Sequence, residues 1–343
     1  MPKVGYCIVG AGFISPYHSQ GVISDPDAEL IGFVDTNLKA AKEKQKLFGA
    51  KKSSDNLDEF LSDPEVTACI ICVPPYLNRE VVVKCAQAGK HILCEKPLAT
   101  SLPDCDVMIS ACQKSGVILA TGHCQLFYLP NVKAKELLNK GAIGELTFLR
   151  TTLATRTGRG PHLGWRGRPD QVGGGILSDP GIHRLYIMRY FFGNPISVRA
   201  IMDRKINPTA PGEDFVLSIF EFEDNKTATV EICGGTSVWD VRTEIYGQAG
   251  IMIINGGDAF TNGPGLSSRL LEIYRPGEQT SIPILGVGAH GKESFVEQIK
   301  DFTQCIMKKR VPAATGEDGK TILRLAKAVY ESARKGGAVV QLT

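Results

Sequence analysis

A chain of 343 residues is longer than one hydrophobic core usually supports, so the length predicts two domains. Hydrophobic residues make up 43% of the chain and charged residues 22%, which is the composition of an ordinary globular protein. A net charge of +3 is too small at this length to indicate nucleic acid or a membrane surface as a partner, and we expect neither.

The beginning of the chain enters a strand pattern directly after Met1, Pro2 and Lys3. No basic segment followed by a long apolar run precedes that strand, so we expect no secretory signal peptide. No stretch of the sequence approaches the roughly eighteen uninterrupted apolar residues that span a bilayer.

Residues 4–121 alternate apolar runs of strand length with segments of helical periodicity. The predicted strands are Gly5–Val9, Leu30–Val34, Ala68–Val73, His91–Cys94 and Val117–Thr121. The predicted helices include Lys39–Phe48, Asn78–Ala88 and Leu102–Ser115. Nearly continuous apolar strands that alternate with helices indicate a parallel sheet covered on both faces, which is the doubly wound α/β arrangement.

The second part of the chain has a different pattern, in which strands follow one another after a predicted helix over Pro130–Lys140. These strands are Leu146–Leu153, Ser197–Met202, Phe215–Phe222, Thr227–Cys233, Val241–Tyr246, Ile251–Ile254 and Leu270–Tyr274. Residues Glu223–Lys226 predict a hairpin turn. We expect an α+β domain over residues 123–343 with a large, mostly antiparallel open sheet. Two closing helices, Lys292–Met307 and Gly316–Lys335, can pack back on the first domain.

Ten cysteines require a choice between disulfides, metal ligation and core packing. Several lie inside apolar strand patterns, among them Cys7 and Cys94. Cys69 and Cys72 would face opposite sides of a strand, and no second pair or histidine follows them. We therefore expect free thiols, no metal site and a reducing, cytoplasmic location.

A glycine-rich turn, Gly10-Ala-Gly12-Phe-Ile-Ser15, directly follows the first predicted strand. Gly10 permits the tight turn, and Gly12 lets backbone amides approach a pyrophosphate at the start of a helix near Ile14. The second strand ends at Asp35, where a carboxylate accepts hydrogen bonds from ribose hydroxyls. This pattern predicts a Rossmann dinucleotide-binding domain over residues 1–122.

The charge of Asp35 favours NAD, because a carboxylate repels the 2′-phosphate of NADP. FAD uses the same fingerprint and stays open as an alternative. The segments that follow the predicted strands contribute further cofactor-binding candidates. These candidates are Phe13, Ile14, Thr36, Pro74, Asn78, Glu95 and Lys96.

Lys96 lies at the carboxyl end of a buried predicted strand, in the segment Glu95-Lys96-Pro97. Ligands of open α/β sheets bind at this end of the strands. Pro97 favours an extended conformation for Lys96. A lysine on an exposed loop, without a function, is the alternative interpretation.

Asp179 and His183 follow three glycines, Gly173–Gly175, and precede an apolar helical run that ends at Phe192. Asp179 before Pro180 predicts a helix N-cap with proline at the first helical position. His183 is four residues further along and lies near the same helix face. A cap and a solvated histidine would also explain both residues.

These segments together resemble the Gfo/Idh/MocA family, named after glucose–fructose oxidoreductase and inositol dehydrogenase. The resemblance spans essentially the whole chain. It rests on Gly10 and Gly12, the segment ending in Lys96-Pro97, the glycines before Asp179 and His183, and the closing residues 315–333.

The resemblance implies a catalytic set of Lys96, Asp179 and His183 that exchanges a hydride between NAD(P) and a secondary alcohol of a sugar or polyol. It also implies a homodimer or homotetramer. The chain departs from the family at Tyr186, where an acidic residue is common, and at Asn78, where a histidine is common. Leu126 likewise replaces a frequent basic residue.

The residues themselves suit this chemistry, because oxidation of an alcohol needs a base for the hydroxyl proton. His183 is the candidate base, because a free histidine has a pKa near neutrality, and the ammonium group of Lys96 would stabilise an alkoxide. Asp179 would hold Lys96 or His183 in place, or bind a substrate hydroxyl. Tyr128, Arg156 and His162 are further substrate-binding candidates.

A polar loop is expected between Ala154 and Gly175, with arginines at positions 156, 159, 166 and 168. It is either a solvated basic loop or a lid over the substrate pocket. In the second case Trp165 and Arg166 resemble a family pair beside the cofactor, and the arginines would suit an acidic sugar.

Two alternatives to a simple dehydrogenase follow from the same residues. One is a glycoside-processing enzyme that acts through a transient keto-sugar. The other is a sensor protein that binds NAD or sugar without catalysis, although intact Lys96, Asp179 and His183 argue against it.

Overall fold

The computed structural model describes residues 2–155, 161–237, 239–256, 271–282 and 293–342. The chain divides into two compact units. The first unit comprises Met1–Cys124 and Phe295–Leu323, and the second comprises Gln125–Ser294 and Arg324–Thr343.

The first unit is built on a six-stranded sheet in which every neighbouring pair of strands is parallel. Its strands are β1 (Val4–Val9), β2 (Ala28–Val34), β3 (Lys52–Ser54), β4 (Ala68–Ile71), β5 (His91–Glu95) and β6 (Leu119–Gly122). They lie in the order β3-β2-β1-β4-β5-β6. The order reverses between β1 and β4, and such a reversal opens a crevice at the carboxyl ends of the two strands.

Helices connect these strands as the alternating sequence pattern predicts. They are α1 (Ser15–Ser24), α2 (Leu38–Phe48), α3 (Asp58–Leu61), α4 (Asn78–Gln87) and α5 (Leu102–Ser115), together with α9 (Ser294–Lys308) from the end of the chain. Asn37 caps α2 and Ser101 caps α5, each by accepting a backbone N–H with its side chain. Both helices end at a glycine in the left-handed conformation.

Two apolar clusters cover the two faces of the parallel sheet. Cys7 and Val9 of β1 belong to one cluster, while Tyr6 and Ile8 belong to the other, because successive residues of a strand point to opposite faces. Phe302 of α9 packs in the second cluster. All six residues of β1 are buried, which is why the strand reads as a continuous apolar run.

In the described residues of the second unit, nine strands form one sheet. Its strands are β7 (Leu146–Ala154), β8 (Ser197–Asp203), β9 (Phe215–Glu221), β10 (Thr227–Cys233), β11 (Asp240–Gly247), β12 (Gly250–Asn255), β13 (Leu271–Arg275), β14 (Glu278–Ile282) and β15 (Val340–Gln341). The order is β14-β13-β12-β11-β7-β10-β9-β8-β15. All neighbours are antiparallel except β7 and β10, which are parallel. The predicted fold class is confirmed.

Helices α6 (Leu129–Asn139), α7 (Pro169–Val172) and α8 (Ile182–Phe192) accompany this sheet, and α10 (Gly316–Arg334) ends in the same unit. The predicted hairpin is confirmed, since β9 and β10 pair antiparallel with Glu221 opposite Thr227. Leu270 and Lys292, the predicted first residues of a strand and a helix, lie outside the described residues.

The structure corrects two expectations. The segment before Gly175 is not simply an irregular loop, because Pro161–Gly167 forms 3₁₀ turns with a kink at Gly164, and α7 follows. The short elements β3, α3, β14 and β15 were not predicted. Elements of two to five residues contain too few positions for a helical or strand periodicity to be visible in the sequence.

Within the described ranges, no helix is both long enough and apolar enough to cross a bilayer.

Candidate functional site

The glycine turn after β1 leaves room for a ligand at the start of α1. Gly10 has φ of 101°, and a Cβ there would lie 2.6 Å from the carbonyl oxygen of Cys72. At Gly12 a Cβ would meet no atom within 4 Å. Ser15 holds the turn by donating its hydroxyl to the Gly12 carbonyl at 2.8 Å. Open space beside a helix N-terminus fits a pyrophosphate group.

Asp35, at the end of β2, adjoins this turn. Its Oδ2 accepts the amide N–H of Ala11 at 2.7 Å, and its Oδ1 accepts the amide N–H of Asn37 at 2.8 Å. The residue is half-buried and Thr36 beside it is exposed. A partly accessible carboxylate at this position can accept hydrogen bonds from ribose hydroxyls.

Two more cofactor-binding candidates lie on the turn itself. Phe13 is 62% exposed and its ring lies 5.9 Å from that of Tyr17. Ile14 precedes the first residue of α1 and is half-buried. The structure therefore places both candidates beside Gly12, at the same carboxyl edge of the sheet as Asp35.

Asn78 and Glu95 hold the segment that contains Lys96. The Asn78 amide donates to the carbonyls of Pro97 and Leu98, at 3.2 Å and 3.1 Å. Glu95 is buried, and its Oε2 accepts the backbone N–H of Lys96 at 3.2 Å. Lys96 itself is half-buried and follows the last residue of β5. Pro74, also half-buried, follows β4 on the neighbouring strand.

In the second unit, Gly173–Gly175 is packed against Tyr330 and Glu213. A Cβ at Gly174 would lie 2.0 Å from the Tyr330 hydroxyl oxygen, so only glycine fits there. The Tyr330 hydroxyl donates to Glu213 Oε1 at 2.7 Å and accepts the Gly175 N–H at 3.0 Å. The glycines therefore serve close packing of the segment that leads to Asp179.

Asp179 lies in a π-helical turn, Leu177–Gly181, which continues directly into α8. The prediction that Asp179 is an N-cap is wrong, because the helical turn already begins two residues earlier. Glu213 takes the capping role: its Oε1 accepts the Leu177 N–H and its carbonyl the Ile176 N–H, both at 3.0 Å. The Asp179 side chain is 13% exposed, and its Oδ2 lies 3.5 Å from Nε of Arg166.

Arg166 also lies over the Trp165 ring, with its guanidinium carbon 4.2 Å from the ring centroid. His183 is on the first turn of α8 and is 9% exposed. Trp165, Arg166, Asp179 and His183 thus all belong to the second unit, whereas Lys96 belongs to the first. Arg156 and the side chain of His162 lie outside the described residues.

Tyr128 is almost fully buried, at 3% exposure, and its hydroxyl donates to the Asn255 carbonyl at 3.3 Å. Burial raises the pKa of this phenol well above its ordinary value.

The sequence analysis did not single out Arg184, the residue after His183, which is 2% exposed and hydrogen-bonds Gln125. The charged residue directly after His183, in a mostly apolar helical run, was the available signal.

Comparison with known proteins identifies the family of this chain. The model of the N-terminal domain of the Gfo/Idh/MocA oxidoreductases, described as an NAD-binding Rossmann fold, matches residues 4–123. The model of the C-terminal domain of the same family matches residues 131–253.

The chain belongs to the Gfo/Idh/MocA family of oxidoreductases.

The relatives cover nearly the whole chain or a large part of it. Myo-inositol 2-dehydrogenase of Thermotoga maritima is 28% identical over 95% of this chain and 95% of its own length. A 2,7-anhydro-N-acetylneuraminate hydratase of Mediterraneibacter gnavus is 27% identical over 67% of this chain and 62% of its own length. The crystal structure of aldose-aldose oxidoreductase from Caulobacter crescentus is 27% identical, with a TM-score of 0.86 and 99% of both chains covered.

Membership of the Gfo/Idh/MocA family confirms the predicted resemblance, the oxidoreductase activity and the NAD cofactor. The residues present suit that cofactor, because the open Gly12 position and the Asp35 carboxylate lie at the crevice of the parallel sheet. The individual roles of the site residues stay predictions.

Proposed function

We propose that the chain oxidises a secondary hydroxyl of a sugar, a polyol or a sugar derivative with NAD. One observation carries the proposal: Lys96 is held by Glu95 and Asn78 at the carboxyl edge of the NAD-binding sheet. The names of the relatives from Thermotoga maritima and Caulobacter crescentus support an inositol- or aldose-like substrate.

In the proposed reaction Lys96, Asp179 and His183 act on the same alcohol. When NAD is bound, its nicotinamide accepts the hydride from the carbinol carbon. His183 takes the hydroxyl proton as general base, and the Lys96 ammonium stabilises the negative charge that develops on the oxygen. Asp179, beside Arg166, orients Lys96 or His183 or binds a neighbouring hydroxyl.

The cofactor contacts in this proposal come first from the edge of the parallel sheet. They are Gly10, Gly12, Phe13, Ile14, Asp35, Thr36, Pro74, Asn78, Glu95 and Lys96, with Trp165 and Arg166 from the second unit. The proposed substrate contacts are Lys96, Tyr128, Arg156, His162, Asp179 and His183. Residues 1–122 are accordingly assigned as the NAD-binding domain and residues 123–343 as the substrate-binding domain.

The experiment that tests this proposal measures NADH formation over a panel of inositols, aldoses, sugar acids and anhydro sugars. We expect turnover of at least one cyclic polyol or sugar, and a lower rate with NADP in place of NAD. A panel without any turnover, together with tight NAD binding, would instead support a sensor protein.

A second candidate is a glycoside-processing enzyme that acts through a transient keto-sugar, and the hydratase relative from Mediterraneibacter gnavus favours it. Such an enzyme reduces the ketone again within each turnover, so no net NADH accumulates. Mass spectrometry of products from anhydro sugars with a catalytic amount of NAD separates the two. A converted sugar without accumulated NADH identifies the second candidate.

We also infer a homodimer or homotetramer that forms through the open face of the nine-stranded sheet. Ile201 on β8 is 54% exposed and Ile219 on β9 is 40% exposed. Leu217, opposite Ile201 in the strand register, points to the same face. Light scattering of Ile201→Glu and Ile219→Glu variants tests this, and an unchanged molar mass in both would refute it.

A cytoplasmic location is proposed as well. All ten cysteines fall within the described ranges and all are free thiols, which suits a reducing compartment. Localisation of a fluorescent fusion to another compartment would contradict this proposal.

A further inference from the structure

Helix α1 and strand β5 are joined by a buried hydrogen bond between His18 and Glu95. His18 Nε2 lies 2.8 Å from Glu95 Oε1. The histidine side chain is completely buried and the glutamate side chain is 10% exposed. Buried polar groups are stable when they hydrogen-bond to a partner. This bond therefore fixes the position of α1 relative to β5.

Within the described residues, the His18 ring makes one hydrogen bond, through Nε2. Its ring packs edge-on against Phe295, with the centroids 5.2 Å apart and the planes at 90°. Its Nδ1 is buried without a hydrogen-bond partner among the described residues. In the tautomer with Nε2 protonated, His18 donates this hydrogen bond and the Glu95 carboxylate accepts it.

The second oxygen of Glu95 extends the connection to Lys96. Oε2 accepts the backbone N–H of Lys96 at 3.2 Å. A Cβ at Gly122, on the adjacent β6, would lie 2.9 Å from Oε1, so the glycine leaves the space that the Glu95 carboxylate occupies. Two hydrogen bonds therefore connect α1 to the backbone of Lys96, one from His18 to Glu95 and one from Lys96 to Glu95.

Asn78 confines the same segment from its other end. Its amide donates to the carbonyls of Pro97 and Leu98, directly after Lys96. Glu95 thus holds the backbone before Lys96 and Asn78 holds the backbone after it. The position of the Lys96 backbone relative to α1 then depends on the His18–Glu95 bond. Helix α1 is also the helix whose N-terminus faces the proposed pyrophosphate site.

We propose that His18 is a positioning residue that, through Glu95, fixes Lys96 relative to the NAD-binding helix. The inference rests on the proposed function only for its kinetic consequence, because the link itself is a feature of the sheet domain. A misplacement of about 1 Å in a reacting group can cost about a hundredfold in rate. Loss of the link should therefore lower kcat more than it weakens NAD binding.

The test compares His18→Leu with His18→Gln, whose side-chain N–H can still reach Glu95. We expect His18→Leu to lower kcat about thirtyfold, with the Kd for NAD within about threefold of the wild type. We expect His18→Gln to restore kcat to within about threefold. His91→Leu, at the opposite end of β5, controls for a general loss of stability in that strand.

A second measurement does not depend on turnover. Reductive ¹³C-methylation labels the lysines, and the Lys96→Arg variant identifies the NMR signal of Lys96. We expect this signal to shift in His18→Leu and to keep its wild-type position in His18→Gln and in His91→Leu. A shifted signal in a protein that turns over none of the sugars supports the positioning link and refutes the proposed function.

Three outcomes would overturn the inference. The first is a Lys96 signal that His18→Leu leaves in place. The second is a His18→Gln variant that is as impaired as His18→Leu. The third is an equal loss of kcat and NAD affinity in both His18→Leu and His91→Leu, which would indicate a purely structural role for this strand.

Discussion

The carboxylate of Asp35 accepts a hydrogen bond from the amide of Ala11, and the two atoms are 2.7 Å apart. This bond joins the end of β2 to the glycine turn that follows β1. Asp35 therefore shapes the turn in addition to being the proposed partner of the ribose hydroxyls. If Asp35 also binds the ribose, the choice between NAD and NADP and the geometry of the turn depend on the same side chain.

Asp35→Ser is expected to weaken NAD binding by about tenfold or more, because hydrogen bonds to a charged group contribute about 1.5–3 kcal/mol. The preference over NADP should narrow, since the charge that repels the 2′-phosphate is gone. Isothermal titration with both nucleotides measures this. Unchanged NAD affinity would refute the ribose contact.

A matched variant separates the two roles of Asp35. Asp35→Asn keeps an oxygen that can accept the Ala11 N–H but removes the charge, so we expect a smaller loss of NAD affinity and a similar gain for NADP. Asp240→Ser, an exposed carboxylate on β11, is the control and should leave both affinities unchanged.

Lys96→Met and His183→Ala are each expected to lower kcat about a hundredfold or more, because a positioned acid–base group contributes at least that much. The Kd for NAD should change little in His183→Ala, which removes no proposed cofactor contact. Steady-state kinetics on the best alcohol of the panel provide the measurement, with the exposed Lys114→Met as control. Turnover within about threefold of the wild type in either variant would show that the catalytic assignment is wrong.

Asn78→Ala is expected to lower the free energy of unfolding by about 1–3 kcal/mol, because the carbonyls of Pro97 and Leu98 lose a buried donor. Asn78→Asp should cost more, since a carboxylate would face carbonyl oxygens. Urea unfolding gives both values, and exposed Asn139→Ala is the control. A change below about 0.5 kcal/mol in Asn78→Ala would contradict the clamping role.

The sequence was sufficient to predict most of the first unit. Strands such as β1 and β4 are buried along their whole length, and helices α2 and α5 have clear caps. Their patterns are therefore local and long enough to read. Gly10, Gly12 and Asp35 could be proposed as cofactor contacts for the same reason, since a turn and its flanking strand are close in the sequence.

The start of the π-helical turn that leads into α8 could not be predicted, because its cap is not local. Glu213 supplies the acceptors for Ile176 and Leu177 from more than thirty positions away. The Asp179-Pro180 sequence has the same local signature whether a helix begins there or one turn earlier. The His18–Glu95 bond was missed likewise, since 77 positions separate its partners.

Tyr330→Phe is expected to destabilise the second unit by about 1–3 kcal/mol, because the Gly175 N–H and Glu213 lose the phenol hydroxyl. Burial raises the pKa of Tyr330 well above 10.0. The folded state thus keeps this proton where the unfolded state loses it, and stability falls as the pH rises above about 10.

Urea unfolding between about pH 8 and pH 11 measures this dependence. Tyr330→Phe should show a shallower loss of stability at alkaline pH than the wild type, and exposed Tyr76→Phe should behave like the wild type. Equal alkaline slopes for Tyr330→Phe and the wild type would contradict the buried, hydrogen-bonded state of this phenol.

The thiols are expected to react slowly in the native protein. Eight of the ten cysteines are buried, and only Cys72 and Cys233 are partly accessible. Burial raises the pKa of Cys105 and of Cys112 to about 12, so little thiolate forms near neutral pH, and the thiolate is the reacting species.

Ellman's reagent at about pH 8 should therefore detect no more than two fast thiols in the folded chain and all ten in guanidinium without reductant. A count below ten in the unfolded protein would reveal a disulfide and argue against a reducing compartment. Several fast thiols in the folded protein would instead mean that the apolar cluster containing Cys7, Cys69 and Cys94 opens readily.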